Sequence, residues 1–293
     1  MQSGAIRPVP NMLPRKLFTS DHEAFRETVR KFYEKEVVPN IEKYEKQQHV
    51  DRDLWNKAGE LGLLCTTMPE QYGGSGVDRL YSMILIEEQA YAMDSSTGFS
   101  LHSDIVANYI NNFGNETQKQ YWLPKMATGE AVTAIAMTEP GTGSDLQAVR
   151  TTAVLDGDEY VINGSKIFIT NGYLCDMAIV VCKTGNNEKG SANLSLLIVE
   201  ADRAGFSKGK PLNKIGMKGQ DTCELFFDNV RVPKENLLGM EGMGFIMLMK
   251  ELAWERMLVA IICQAGAEAA FAHTVQYTKD RKAFGKAIST FQN

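Results

Sequence analysis

The sequence predicts an α+β chain in which helices and strands are segregated into separate domains, and three observations predict it. Residues 20–129 carry apolar positions at helical spacing. Residues 130–233 switch to short runs rich in Val, Ile, Thr and Phe, cut by Asp156-Gly157, Asn163-Gly164 and Asn171-Gly172. After Gly242 the helical spacing returns and runs to about Thr278. Segregated elements argue for separate helical and sheet layers and against alternating βαβ units. The expected division is a helical domain over 1–129, an antiparallel β-barrel or sandwich over 130–239, and a second helical domain that begins at 240 and runs to 293.

Each element has a local cause. Ser20 with Glu23 forms a capping-box signature, and Phe25, Val29, Phe32, Val37, Ile41 and Tyr44 then follow at intervals of three to five residues. Pro39 is expected to bend or divide that helix, because it lacks the backbone N–H that a helix interior needs. Further helices are expected over 51–61, closed by Gly62, and over 78–93, 99–112 and 116–128. No internal repeat is visible.

Composition narrows the function. At 293 residues and 44% hydrophobic content the chain can bury a substantial core. Its 31 basic and 36 acidic residues give a net charge of -5 spread along the sequence, which disfavours nucleic acid or an anionic membrane as a partner. Cys65, Cys175, Cys182, Cys223 and Cys263 are odd in number and scattered, without a C-x-x-C pair, so reduced thiols are expected rather than disulfides or zinc. The four histidines are isolated, and no metal cluster is expected. The first residues lack an apolar targeting core and the run 257–263 is too short to span a bilayer, so a soluble protein is expected.

Two segments carry candidate chemistry. In Ala134-Ile-Ala-Met-Thr-Glu-Pro-Gly-Thr-Gly-Ser-Asp145, Gly141 and Gly143 follow an expected strand, where their amides can approach a polar ring edge without side-chain obstruction. The spacing is neither G-x-G-x-x-G nor a P-loop, and by itself such a stretch is more often an ordinary turn. In Lys166-Ile-Phe-Ile-Thr-Asn-Gly172, Phe168 and Thr170 alternate on one strand face, so an aromatic ring and a hydroxyl point the same way. Glu255, in Lys250-Glu-Leu-Ala-Trp-Glu-Arg256, shares a helix stripe with Leu248, Leu252, Val259, Ile262 and Gly266. A carboxylate among apolar groups has a raised proton affinity suited to proton abstraction. Glu251 four residues earlier equally suits a solvated face.

The pairing of Thr-Glu-Pro-Gly-x-Gly-Ser-Asp with a downstream Ile-Thr-Asn-Gly strand resembles the acyl-CoA dehydrogenase family, most of all its long-chain type. The resemblance implies FAD as cofactor, with Ile135, Met137 and Thr138 lining the flavin and Phe168 and Thr170 against its ring. It implies that Gly143 and Ser144 contact the cofactor or the thioester arm. Many relatives carry Trp where Phe168 stands, but stacking should survive the change. The Glu255-Arg256 pair resembles long-chain and isovaleryl-type members, whose base lies on this helix. It implies Glu255 as the catalytic base and Arg256 as a residue that orients the acid or holds a polar part of the substrate.

Further matches are Lys214-Ile-Gly-Met-Lys-Gly-Gln-Asp-Thr222 and Ser96-Thr-Gly-Phe-Ser-Leu-His102. The resemblance implies that the latter borders the acyl chain, for which small Gly98 and Ser100 leave room, although a simple helix cap explains them equally well. In Lys279-Asp-Arg-Lys-Ala-Phe-Gly285, whose plain reading is a solvated helix end, the resemblance implies that Arg281 and Phe284, with Gln292, reach the FAD of a neighbouring subunit. A homo-oligomer is thereby implied, a tetramer in the family.

The implied reaction is α,β-dehydrogenation of a long-chain acyl-CoA to trans-2-enoyl-CoA in β-oxidation. Glu255 takes the α-proton, the β-hydrogen leaves as hydride, and the electrons pass to electron-transfer flavoprotein. Family members continue with helices that complete a bundle, so the last domain is expected to be incomplete and to expose apolar helix surface. The alternatives left open are a branched-chain (isovaleryl-type) dehydrogenase, an acyl-CoA oxidase and a non-catalytic acyl-CoA-binding subunit. Bacterial cytoplasm and mitochondrial matrix fit equally.

Overall fold

The structure is a computed structural model, and it describes residues 15–185 and 193–291. Helix α1 (Ser20–Phe32) begins one residue earlier in its cap than the sequence suggested. Thr19, not Ser20, is the N-cap, and its backbone N–H donates to His22 Nδ1 at 3.1 Å, so His22 closes the box that Glu23 was expected to close. Pro39 divides the following helix as expected: a π-helical turn (Tyr33–Val37) and a 3₁₀ turn (Val38–Asn40) precede α2 (Ile41–Gln47). Helices α3 (Arg52–Glu60) and α4 (Arg79–Tyr91) follow, the latter capped by Asp78, whose carboxylate accepts the Leu80 N–H at 2.8 Å.

The expected helix over 99–112 is a π-helical turn (Leu101–Val106) running into α5 (Ala107–Phe113), and α6 (Glu116–Ala127) closes the helical domain. Val29, Trp55, Ile84 and Phe99 are among the residues that form its own core. Buried Arg26 bridges Glu87 at 2.8 Å and Glu88 at 3.3 Å, and this ion cluster fastens α1 to α4.

The middle domain contributes β1 (Thr133–Ala136), β2 (Thr152–Asp156), β3 (Glu159–Ile169), β4 (Met177–Lys183), β5 (Leu194–Glu200), β6 (Phe206–Lys208), β7 (Cys223–Pro233) and β8 (Leu237–Leu238). Among the described residues they form one sheet in the order β6-β7-β3-β2-β4-β5-β8, with β1 beside β4. Most pairings are antiparallel, but β1 and β2 both run parallel to β4, which the turn-based reading did not signal. β4 and β5 are buried on both faces. Met177, Ile179, Leu196 and Ile198 face α5 and α6, while Ala178, Val180, Leu197 and Val199 face a second core.

Helix α7 (Gly244–Asp280) lies on this body through Met247, Leu248, Glu251, Leu258, Ala265, Ala269 and Ala272. Its other side is bare: Met257 is 52% exposed, Val259 61% and Phe271 62%. The apolar exposed surface expected of the last domain is present, but the stripe drawn through Glu255 and Val259 is corrected, since Val259 turns away from the body. Over one window the helix is also long and apolar enough to cross a membrane by length and composition alone, longer than the run 257–263 suggested. Its buried side nevertheless carries Glu251, held by Asn112 at 2.8 Å, which is the pattern of a helix packed on protein. The chain then forms a hairpin, β9 (Lys282–Ala283) with β10 (Lys286–Ala287), whose turn residues Phe284 and Gly285 both have positive φ, of 50° and 79°.

Candidate functional site: a pinned loop and a carboxylate on the last helix

The two motifs singled out in the sequence lie against each other. The Ile167 N–H donates to the Thr138 carbonyl at 2.9 Å, joining the end of β3 to the segment after β1. Beside that bond, Lys166 is fully buried, and its Nζ donates to the Met137 carbonyl at 3.0 Å and to Glu139 Oε1 at 2.9 Å. Glu139 also accepts the N–H groups of Arg150 at 2.6 Å and Thr151 at 2.9 Å. Burial alone would raise the Glu139 carboxyl, but Lys166 and Thr151 outweigh it and hold it below the ordinary carboxylate value. Glu139 and Thr142 then exchange backbone bonds of 2.9 and 3.0 Å, closing the turn that presents Gly141, Gly143 and Ser144 to the exterior.

Neither Gly141 nor Gly143 has a left-handed φ, and a Cβ added at either meets nothing within 4 Å. The fold itself therefore does not require glycine at these positions. Both glycines leave their backbone open to approach from outside the chain. Phe168 stands at a β-bulge with φ of 62° and is 63% exposed, a costly arrangement for an aromatic residue that turns its ring away from the core. The regular alternation expected of Phe168 and Thr170 is corrected: β3 ends at Ile169, and half-buried Thr170 lies in the turn beyond it. Ile135 is buried on β1, and Met137 and Thr138 are half-buried.

Asn171 ties this turn to the helical domain, its Nδ2 donating to the carbonyls of Gly98 at 3.0 Å and Thr133 at 3.3 Å. A Cβ on Gly98 would fall 1.8 Å from Asn171 Oδ1. That contact by itself requires glycine at position 98.

On α7, Glu251 and Glu255 both turn inward, which excludes the solvated-face alternative. Tyr109 Oη donates to Glu255 Oε1 at 2.9 Å, and Asn112 Nδ2 donates to Glu251 Oε1 at 2.8 Å, so two rungs one turn apart join α5 to α7. Burial raises the Glu255 proton affinity above the ordinary carboxylate value. Glu251 adds to the rise, and Tyr109 and Arg256 oppose it. Arg256 itself is exposed. The two parts of the site share one core: Tyr109, Ile135 and Leu248 belong to it, with Met137 and Leu146 packed against its edge.

Phe284 is 95% exposed and meets Phe291 edge-on at 5.9 Å, so it does not lie on the loop of its own chain. Arg281 is exposed as well, and Gln292 falls outside the described residues. Sequence reasoning missed Tyr109 and the Lys166–Glu139 pair. A lysine at an apolar position of a strand signals the second, and a tyrosine on an apolar helix face gives no comparable signal for the first.

Comparisons with known proteins place the whole chain, segment by segment. Three family models match in order: acyl-CoA dehydrogenase N-terminal domain over residues 19–130, middle domain over 134–230 and C-terminal domain over 242–293. The chain is 48% identical over its full length to the mitochondrial long-chain specific acyl-CoA dehydrogenase of Sus scrofa, of which it covers 68%. It superposes with a TM-score of 0.93 on an acyl-CoA dehydrogenase from Geobacillus kaustophilus, at 49% identity, covering 95% of this chain and 74% of that one. An acyl-CoA dehydrogenase from Bacillus anthracis complexed with FAD superposes with a TM-score of 0.88 at 36% identity, covering 95% of this chain and 48% of that one. The chain spans about two thirds of the length of the curated relatives it matches, 65 to 68%. With helical, sheet and helical segments each matched in place, the chain belongs to the acyl-CoA dehydrogenase family.

Proposed function

We propose that this chain carries the FAD cradle and the catalytic base of an enzyme that converts long-chain acyl-CoA to trans-2-enoyl-CoA. The observation that carries this reading is the shared core: Tyr109, which holds Glu255, belongs to the same buried cluster as Ile135, with Met137 of the loop-bearing segment packed against that cluster. The residues present suit a flat ring with polar edges. Ile135 and Met137 offer an apolar floor, Thr138, Ser144 and Thr170 offer hydroxyls, Phe168 offers an exposed aromatic face, and Gly143 leaves space for close approach. FAD held by these residues would supply hydride-acceptor chemistry for the substrate β-carbon, with electron-transfer flavoprotein as the proposed onward acceptor.

Glu255 takes the α-proton, for which its raised proton affinity is an asset as long as the carboxylate is ionised at working pH. Exposed Ser144 and Arg256 suit contact with the polar part of a thioester, and half-buried Glu255 has Tyr109 and the core behind it. Exposed Arg281 and Phe284 suit contact with the cofactor of a second copy in a homo-oligomer, a contact to which the resemblance adds Gln292, outside the described residues. The long-chain substrate is favoured over a branched one because the long-chain relative is 48% identical and an isovaleryl-CoA dehydrogenase 37%.

The test supplies the FAD-loaded chain with long-chain and isovaleryl thioesters and an artificial electron acceptor, and measures products by mass spectrometry. A long-chain enoyl-CoA supports the reading. Peroxide formed in place of acceptor reduction shows an oxidase, and bound FAD with no enoyl product overturns the proposal.

A further inference from the structure

Resting on the reading of Glu255 as base, we infer that Tyr109 is its positioning residue: the phenol donates to Oε1 and leaves Oε2 as the oxygen that receives the substrate proton. Among the described residues the hydrogen bond to this carboxylate comes from Tyr109 alone, at 2.9 Å. The tyrosine cannot drift from that position. Its side chain is wholly buried in the core between α5 and the sheet, and its ring tilts against Phe113 with centroids 6.0 Å apart. The next rung, Asn112 to Glu251, fixes the register of the two helices, so the phenol meets Glu255 and not its neighbour.

The other charged groups on α7 and on the elements packed against it are occupied or turned away. On α7, Glu251 is held by Asn112, Glu268 accepts from Tyr91 at 2.7 Å, and Arg256 is exposed. On α4, Arg79 stacks on Trp254 at 4.3 Å. In the π-helical turn, Asp104 accepts from Ser82 at 2.5 Å. On β5, Glu200 accepts from Asn236 at 3.1 Å. The phenol thus acts as the tuning group: it stabilises the ionised carboxylate against burial and against Glu251.

The test titrates Glu255 in the flavin-free 293-residue chain. The readout is the infrared carbonyl stretch of its protonated carboxyl, assigned by its loss in Glu255→Gln. The acidic limb of the pH–rate profile is measured in parallel on the FAD-loaded chain. Tyr109→Phe keeps the ring in the core and removes the donor, so both midpoints should rise by about one pH unit. Glu251→Gln removes a repelling charge, and both should fall. A residue that only packs would leave the titration where it was, and an unmoved or lowered midpoint in Tyr109→Phe overturns the inference. If the infrared midpoint rises while Glu255→Gln still turns over at the native rate, Tyr109 stays the partner of Glu255 and the base reading is what fails.

Discussion

Glu139 and Glu255, the two carboxylates that frame the site, are held in opposite ways. Glu139 takes three hydrogen bonds, from the Lys166 ammonium and from the amides of Arg150 and Thr151, and its proton affinity falls below the ordinary value. Glu255 takes one, from Tyr109, and its proton affinity rises. The first group is built to stay charged and still, and it fixes the shape of the loop. The second keeps a raised proton affinity, which suits the proton transfer proposed for it. The same functional group thus has its proton affinity lowered at one place and raised at the other, and the Lys166 ammonium beside Glu139 makes the main difference.

The comparison can be broken at the anchor first. Lys166→Met leaves Glu139 buried without its cation, and the unfolding free energy in urea should fall by about 3–5 kcal/mol, the usual cost of breaking a buried pair. A drop under ~1 kcal/mol would mean that the backbone donors hold Glu139 alone. Gly98→Ala should cost less, about 1–3 kcal/mol, because the added methyl must displace Asn171 and the turn that carries Phe168. Thermal unfolding of this variant measures that effect.

The pH dependence separates the two carboxylates by sign. Glu139, with its depressed value, contributes stability that is present above the ordinary carboxylate value and lost as pH falls through its own lower one. Glu255, with its raised value, should instead limit turnover, which grows as pH rises through a point above the ordinary one. The smallest effect is expected on the bare side of α7. Val259→Ser, at a position 61% exposed, should change the stability of this chain by no more than about 0.5 kcal/mol.

Much of the fold was legible because each domain announces its own period. Val29, Phe32, Val37 and Tyr44 mark the first helices and are buried as the spacing requires, and Pro39 breaks them where its missing N–H predicts. The cap slipped by one residue because Thr19-x-x-His22 and Ser20-x-x-Glu23 are overlapping boxes, and sequence cannot rank them. The parallel placement of β1 and β2 beside β4 was hidden because it is set by chain crossings and not by any turn.

At the site, the glycine loop and the Phe168 segment were found as motifs, but their joint was not. It depends on Lys166, a charge in a strand interior, paired across 27 positions. Glu255 was found for its helix and its resemblance, while the stripe drawn around it was off by one face. Val259 points outward and Glu251 inward, since a helix apolar on both sides gives periodicity no contrast to read.

The proposal stands or falls on Glu255, which shares a buried core with the segment that leads to Gly143, as the group that removes the substrate proton. Anaerobic mixing of the FAD-loaded chain with a long-chain acyl-CoA, native against Glu255→Gln, tests it most directly. The flavin absorbance should bleach in the native chain, and about 10²- to 10⁴-fold more slowly in the variant, with FAD and thioester still bound. Equal bleaching in both would contradict the account and place the base elsewhere.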